Sequence, residues 1–303
     1  MYLEQAYKTK GPYWKYLPFP LAFIGMMAWN FYEIQTKDIN VEAQMKLLVD
    51  LFGKNGFLAL TLLQFVIGLV FLLLIVTYVH KQSLISLTTS RNSIDWKRVG
   101  FSALLWSLIT LAVTFVEYWI SPESFVFQFN LKAFIPLFII SVLMIPLQTS
   151  FEEYLFRGYM MQGLGVLFKN RWVPFVVTSL LFGLMHIGNP EVEKMGYGIL
   201  IYYITTGFFL GFITLMDEGL ELALGFHAAN NTVSALLITS SWTAFQTDSV
   251  FLDVSEPSFG AEVFLPLLLI YPIVLFIFAE KYHWKHWKKR LFSPLEPNDK
   301  IQH

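Results

Sequence analysis

Apolar residues in this chain gather into long runs separated by short polar stretches. About 20 apolar residues are needed for a helix to cross a bilayer's hydrocarbon core. Eight runs approach that length, at residues 16–32, 57–79, 101–120, 134–156, 172–187, 197–216, 220–241 and 263–280. The second, LALTLLQFVIGLVFLLLIVTYV, is the most continuous. The pattern predicts an all-α, multi-pass transmembrane helical bundle of about eight spans. Two further segments, 40–52 (NVEAQMKLLVDLF) and 93–99 (SIDWKRV), place apolar and charged residues at helical spacing. They read as helices lying on the membrane surface or as ordinary loop helices. Three parts are expected: a two-span extension with an interfacial helix (1–94), a core (95–241), and a last span with a basic tail (242–303). The end of that tail, after Phe292, is expected to be loose.

Composition narrows the class. Hydrophobic residues make up 55% and charged residues 14% of the 303 positions, where a soluble domain carries about 25% charge. Too few charges remain to coat a soluble surface. The formal net charge is −1, so no basic excess points to nucleic acid. Cysteine is absent, which removes disulfides, thiolate ligands and a cysteine nucleophile. The N-terminal segment is not followed by a small-residue cleavage site, so the first span reads as retained. With eight spans, 16 of the 21 Lys and Arg residues fall on the side of the termini and 5 on the other. The positive-inside rule then makes both termini cytoplasmic. The Lys- and Phe-rich composition suggests a bacterial plasma membrane.

Ionisable groups at membrane depth are costly, about 2.5–3.5 kcal/mol each on insertion scales, and they are concentrated here. Spans one, two, six and eight carry none in their interiors. Span four carries Glu152, Glu153 and Arg157, span five His186, and span seven His227 with Asn231. Glu153 and Arg157 are four apart and share a face, which reads as a structural ion pair. Glu152 lies about 100° around the helix from Glu153, so its partner must come from another helix. An unpartnered carboxyl there is a candidate general base. Phe182 and His186 share a face, as do His227 and Asn231. Taken singly, each reads equally well as a packed core residue or as hydrogen-bonding glue between helices. Together they suggest one shared interior site. A depth count requires span four to continue as one long helix to about Leu167; otherwise Glu152 and His186 sit at different levels.

The segments EEYLFR (Glu152–Arg157), FGLMH (Phe182–His186) and HAANN (His227–Asn231) resemble the EExxxR, FxxxH and HxxxN signatures of the CPBP intramembrane proteases. That family includes the type II CAAX prenyl endopeptidases and bacterial proteins linked to bacteriocin self-protection. The resemblance covers roughly residues 95–240 and makes that stretch the protease core. It implies peptide-bond hydrolysis of membrane-associated substrates, CAAX-type tails or bacterial leader peptides, with membrane lipid as the other partner. Carried over by position, Glu152 and His186 would activate a water, His227 and Asn231 would stabilise the oxyanion, and Glu153, Arg157 and Phe182 would shape the site. No cofactor is required on this reading. If a zinc ion is used, Glu152, His186 and His227 are its expected ligands, an open His₂Glu set. A serine or aspartyl intramembrane protease is excluded by the lack of GxSG and GxGD motifs. Two rivals remain: an inactive membrane scaffold or immunity protein of the same family, and a proton-coupled transporter.

Overall fold

The structure, a computed structural model, describes residues 1–9, 11–37 and 39–296. All eight predicted runs are helical. We label them α1 (Pro18–Thr36), α2 (Val41–Val79), α3 (Trp96–Ile120), α4 (Leu131–Phe168), α5 (Trp172–Gly188), α6 (Tyr197–Asp217), α7 (Glu221–Leu237) and α8 (Val263–Lys281). Five of them, α2, α3, α4, α6 and α8, are long and apolar enough to cross a membrane, and α5 is a shorter apolar helix. Helix α1 falls short because Asn30, Glu33 and Gln35 crowd its second half. Helix α7 spans 17 residues and carries Glu221, His227, Asn230 and Asn231. The predicted bundle is therefore present, with five of its eight helices meeting the length and hydropathy a span requires.

The two segments expected to lie apart from the spans are continuous with them. Residues 41–52 form the first turns of α2, started by the Asn40 side chain accepting from the Ala43 N–H at 2.8 Å. Gly53, at φ 69° and ψ 163°, breaks the helical path before the apolar part begins; only glycine takes that conformation without strain. SIDWKRV is the entry to α3, capped by Asp95, which accepts from the Lys97 N–H at 3.1 Å. Both are helix starts with amphipathic composition.

Ion pairs and a small sheet tie the two ends of the bundle. At one end Asp217, the last residue of α6, accepts from Arg91 at 3.0 Å, from Arg98 on α3, and from the Trp284 indole at 3.2 Å. Arg91 also reaches Glu221 at 3.1 Å. The N-terminal segment tucks under the same end, with Tyr2, Leu3 and Ala6 buried. Leu295 is buried there too, and its N–H donates to the Lys169 carbonyl at 3.0 Å. Leu295 is thus packed where a loose tail was expected, while Pro294 and Glu296 are exposed; 297–303 lie outside the described residues. At the other end, β1 (Phe125–Phe127), β2 (Ile238–Ser240) and β3 (Phe251–Asp253) form a sheet ordered β1-β3-β2, antiparallel then parallel. Three-residue strands carry too little alternation to be seen in sequence.

Candidate active site

Helix α4 positions the acidic pair. It runs unbroken from Leu131 to Phe168, the length the depth count requires. Its middle, Tyr154–Met160, is wound as π-helical turns, a feature frequent at functional sites. Glu153 and Arg157 straddle the entry to this stretch, are both fully buried, and pair at 3.0 Å. The second guanidinium nitrogen donates to the Gly207 carbonyl of α6 at 3.2 Å. The guanidinium also lies over the Phe182 ring, 4.1 Å from its centroid, a cation–π contact.

The pair is not self-contained, as its spacing had suggested. His227 of α7 brings Nδ1 to 2.8 Å from the same Glu153 oxygen that Arg157 holds. An ionised carboxylate only accepts, so Nδ1 carries a proton, and in a neutral ring Nε2 presents a lone pair. That Nε2 stands 3.7 Å from Oε2 of Glu152. Across the bundle Glu152 thus faces His227 without a hydrogen bond, and among the described residues the one bond it makes comes from Gln148 of its own helix, where a partner on another helix was expected. The two carboxylate oxygens of Glu152 have different fates. Its Oε1 accepts from the Gln148 amide, and its Oε2 is buried without a hydrogen-bond partner. The gap of 3.7 Å between two acceptors is one that a donor, such as a water proton, would close.

Asn231, one turn beyond His227, donates from Nδ2 to Gln148 Oε1 at 3.2 Å. His186 closes the other side. Its Nδ1 is 2.8 Å from the Phe182 carbonyl. A carbonyl accepts only, so this nitrogen is the protonated one and Nε2 is free to accept. The imidazole stacks on Tyr203 of α6, with centroids 4.2 Å apart and planes at 13°. Phe182 is the shared wall, 5.1 Å from the His186 ring and 5.9 Å from that of His227. Six of the seven residues singled out in the sequence thus form one cluster between α4, α5 and α7, and His186 meets it only through Phe182. Among the described residues, no three His, Asp or Glu side chains converge as a set able to hold a metal ion. Glu152, His186 and His227 are thus not drawn together as the ligand set that the resemblance implies if a zinc ion is used.

Gln148 escaped the sequence analysis, as did Tyr203 and the Gly207 carbonyl. For Gln148 a signal existed: it is buried and lies one helical turn before Glu152 in an otherwise apolar span. It is, however, uncharged and lies outside the three signature segments, so nothing marks it as HAANN marks Asn231. Tyr203 and Gly207 gave no signal, since only the packing of α6 brings them to the site.

The fold and this cluster define a class: a multi-pass helical membrane protein with a buried Glu/Glu/Arg/His/His/Asn constellation. Residues 131–233, which contain every one of those side chains, match the family described as type II CAAX prenyl endopeptidase Rce1-like. The chain is 30% identical over 218 residues to the Bacillus subtilis (strain 168) protein YyaK, itself uncharacterised, covering 72% of this chain and 71% of that one. No solved structure matches. The chain belongs to the CPBP family of intramembrane proteases, the CAAX-type group, and is an integral membrane protein.

Proposed function

We propose that the α4–α5–α7 cluster hydrolyses peptide bonds of membrane-associated substrates, either CAAX-type prenylated tails or bacterial leader-type segments, with Glu152 as general base. The observation that carries this reading is the buried Oε2 of Glu152, unpartnered and 3.7 Å from a histidine nitrogen. A water bridging Oε2 and the His227 Nε2 from the side donates one proton to Glu152 and its other hydrogen bond to His227, so on this reading His227 orients the water in place of His186 and Asn231 alone faces the oxyanion. The hydroxide forms a bond to the peptide carbonyl carbon as Glu152 takes the proton. Asn231 keeps one N–H free after bonding Gln148, and that hydrogen faces the developing oxyanion; a donor of this kind is worth ~2.7–4 kcal/mol in known cases. Collapse of the tetrahedral species breaks the C–N bond, and Glu152 returns its proton to the leaving amine. Glu153 and Arg157 hold His227 and Phe182 in place. Every step uses side chains of this chain alone. The gathering of the basic loops at the end of the bundle that holds the N-terminal segment and Leu295 supports a cytoplasmic placement of that end in a bacterial plasma membrane.

The test is cleavage of a panel of farnesylated CAAX-type and unmodified leader-type peptides in liposomes. Wild type, Glu152→Ala and Glu153→Ala are compared, each with and without chelator. Wild type is expected to cleave and Glu152→Ala to be inactive while folding normally. Robust turnover by Glu152→Ala would refute the mechanism. Chelator inhibition reversed by zinc would put a metal into it. A folded wild type that cleaves nothing in the panel favours the scaffold reading.

A further inference from the structure

Trp106, midway along α3 and buried, heads a line of hydrogen bonds that ends on Glu152. Its indole N–H donates to Asn230 Oδ1 at 2.9 Å. Asn230 Nδ2 donates to Asn231 Oδ1 at 3.0 Å. Asn231 Nδ2 donates to Gln148 Oε1 at 3.2 Å, and Gln148 Nε2 donates to Glu152 Oε1. The line crosses three helices, α3, α7 and α4, and every link points the same way.

That polarity has a physical cause. The two ends of a side-chain amide have nearly the same shape, so an isolated Asn or Gln is free to present either oxygen or nitrogen. An indole N–H only donates, and an ionised carboxylate only accepts. Trp106 therefore requires the oxygen of Asn230, and Glu152 requires the nitrogen of Gln148. The three amides between these fixed ends have one orientation that satisfies every link. Reversing any one sets donor against donor or acceptor against acceptor, along a line that is partly buried at Asn230 and Asn231 and buried at Gln148 and Glu152, where an unmade bond is costly. Coupled chains of this kind act as units.

We propose that Trp106, Asn230 and Gln148 are positioning residues for the reaction described above. On that reading, the indole sets the direction of a one-way amide chain that turns the Asn231 oxygen away from the substrate and aims its second N–H at the oxyanion. The same chain delivers a donor to Glu152 Oε1 and so leaves Oε2 as the oxygen that meets water. None of the three positioning residues touches the reacting atoms. Trp106 is held by packing of its own, 4.1 Å from the Phe226 ring and 5.8 Å from that of Tyr271, so its replacement by phenylalanine keeps an aromatic ring there and removes the N–H.

The experiment compares Trp106→Phe, Asn230→Asp, the double variant and Gln148→Leu. Asn230→Asp still accepts from Trp106 and has lost the donor to Asn231. Three readouts are taken: thermal midpoint, kcat and KM on the liposome peptide panel, and the pH titration of the Glu152 carboxyl band. That band is isolated as the infrared difference between each protein and its Glu152→Gln counterpart. Trp106→Phe and Asn230→Asp are each expected to lower kcat about threefold to tenfold, the size of one hydrogen bond, with KM within about twofold. The double variant is expected to lose no more than the worse single one, because the chain fails as a unit. The Glu152 titration midpoint is expected to move most in Gln148→Leu and less in the variants further up the chain. Folded variants with unchanged kcat, or losses that multiply in the double variant, would overturn the proposal. If wild type cleaves no peptide, the catalytic reading fails, and the infrared titration still decides the chain. An unmoved band in Gln148→Leu and Trp106→Phe would then reject it.

Discussion

Arg157 is the side chain whose removal the structure prices most clearly. Replacing it with methionine keeps much of the apolar stem and deletes three interactions at once. These are the 3.0 Å pair with Glu153, the 3.2 Å bond to the Gly207 carbonyl and the cation–π contact with Phe182. Glu153 is left buried, with only His227 facing its charge. Breaking one partner of a buried pair costs roughly 3–5 kcal/mol, because an uncompensated charge remains in a low-dielectric setting. That corresponds to roughly a hundredfold to a few thousandfold in the folding constant. Glu153→Gln, by contrast, still accepts from His227 Nδ1. The double variant Glu153→Gln/Arg157→Met therefore removes both charges without orphaning the histidine. The assay is unfolding of purified protein in mixed micelles followed by tryptophan fluorescence, with midpoints compared across the four-member cycle. Arg157→Met is expected to be the least stable member, and the double variant to recover part of the loss. A midpoint for Arg157→Met within about 1 kcal/mol of wild type, or costs that simply add, would show that the pair is not coupled as argued.

Two further predictions concern pH, both at groups outside the spanning segments. Glu191, in the connection between α5 and α6, accepts from the Ala244 N–H at 2.9 Å through one oxygen while the other is buried without a partner. Burial pushes its carboxyl up from the ordinary value of 4.5. A folded acid with a raised pKa is stabilising only while protonated, and this contribution is lost as pH rises through the folded value. Glu191→Gln keeps the acceptor and is expected to raise the thermal midpoint at pH 8 while leaving it nearly unchanged at pH 4; the reverse ordering would contradict the burial argument. His80, just past the end of α2, sits 2.8 Å from the Tyr159 hydroxyl and stacks on Tyr16 at 4.1 Å. Burial, with Lys15 adding to it, pushes its pKa down from 6.5 to about 4. The neutral ring is the folded form, so the stability it contributes is full above pH 6.5 and is lost as pH falls towards 4. The protection factor for hydrogen exchange at Tyr13–Tyr16, with the intrinsic base-catalysed rate divided out, is expected to fall between pH 7 and 5, and to lose that dependence in His80→Gln.

Much of this protein was legible in one dimension. A bilayer makes apolar length the dominant signal, so the eight helical segments follow from runs; the count of 16 basic residues on one side included Arg157, which is buried inside α4. The price of charge in lipid likewise confines the search for a site to a few side chains, and EEYLFR, FGLMH and HAANN mark three helices that supply it. The need for α4 to continue to about Leu167 was itself a matter of arithmetic, at 1.5 Å per residue. The starts of α2 and α3 misled because amphipathic composition is shared by a surface helix and by the entry turn of a span.

Only the tertiary structure decided who partners whom. Spacing put Arg157 on Glu153, yet helix packing added His227 to the same oxygen and set the other histidine nitrogen near Glu152. A helical period fixes which residues share a face; it carries no information about the rotation of one helix against another, which side-chain packing determines. The same holds for Gln148, an uncharged residue whose importance comes from touching both Glu152 and Asn231. It holds equally for Trp106, whose single N–H orients amides on two other helices. Direction in a hydrogen-bond chain is a property of contacts, and contacts exist only once the chain has folded.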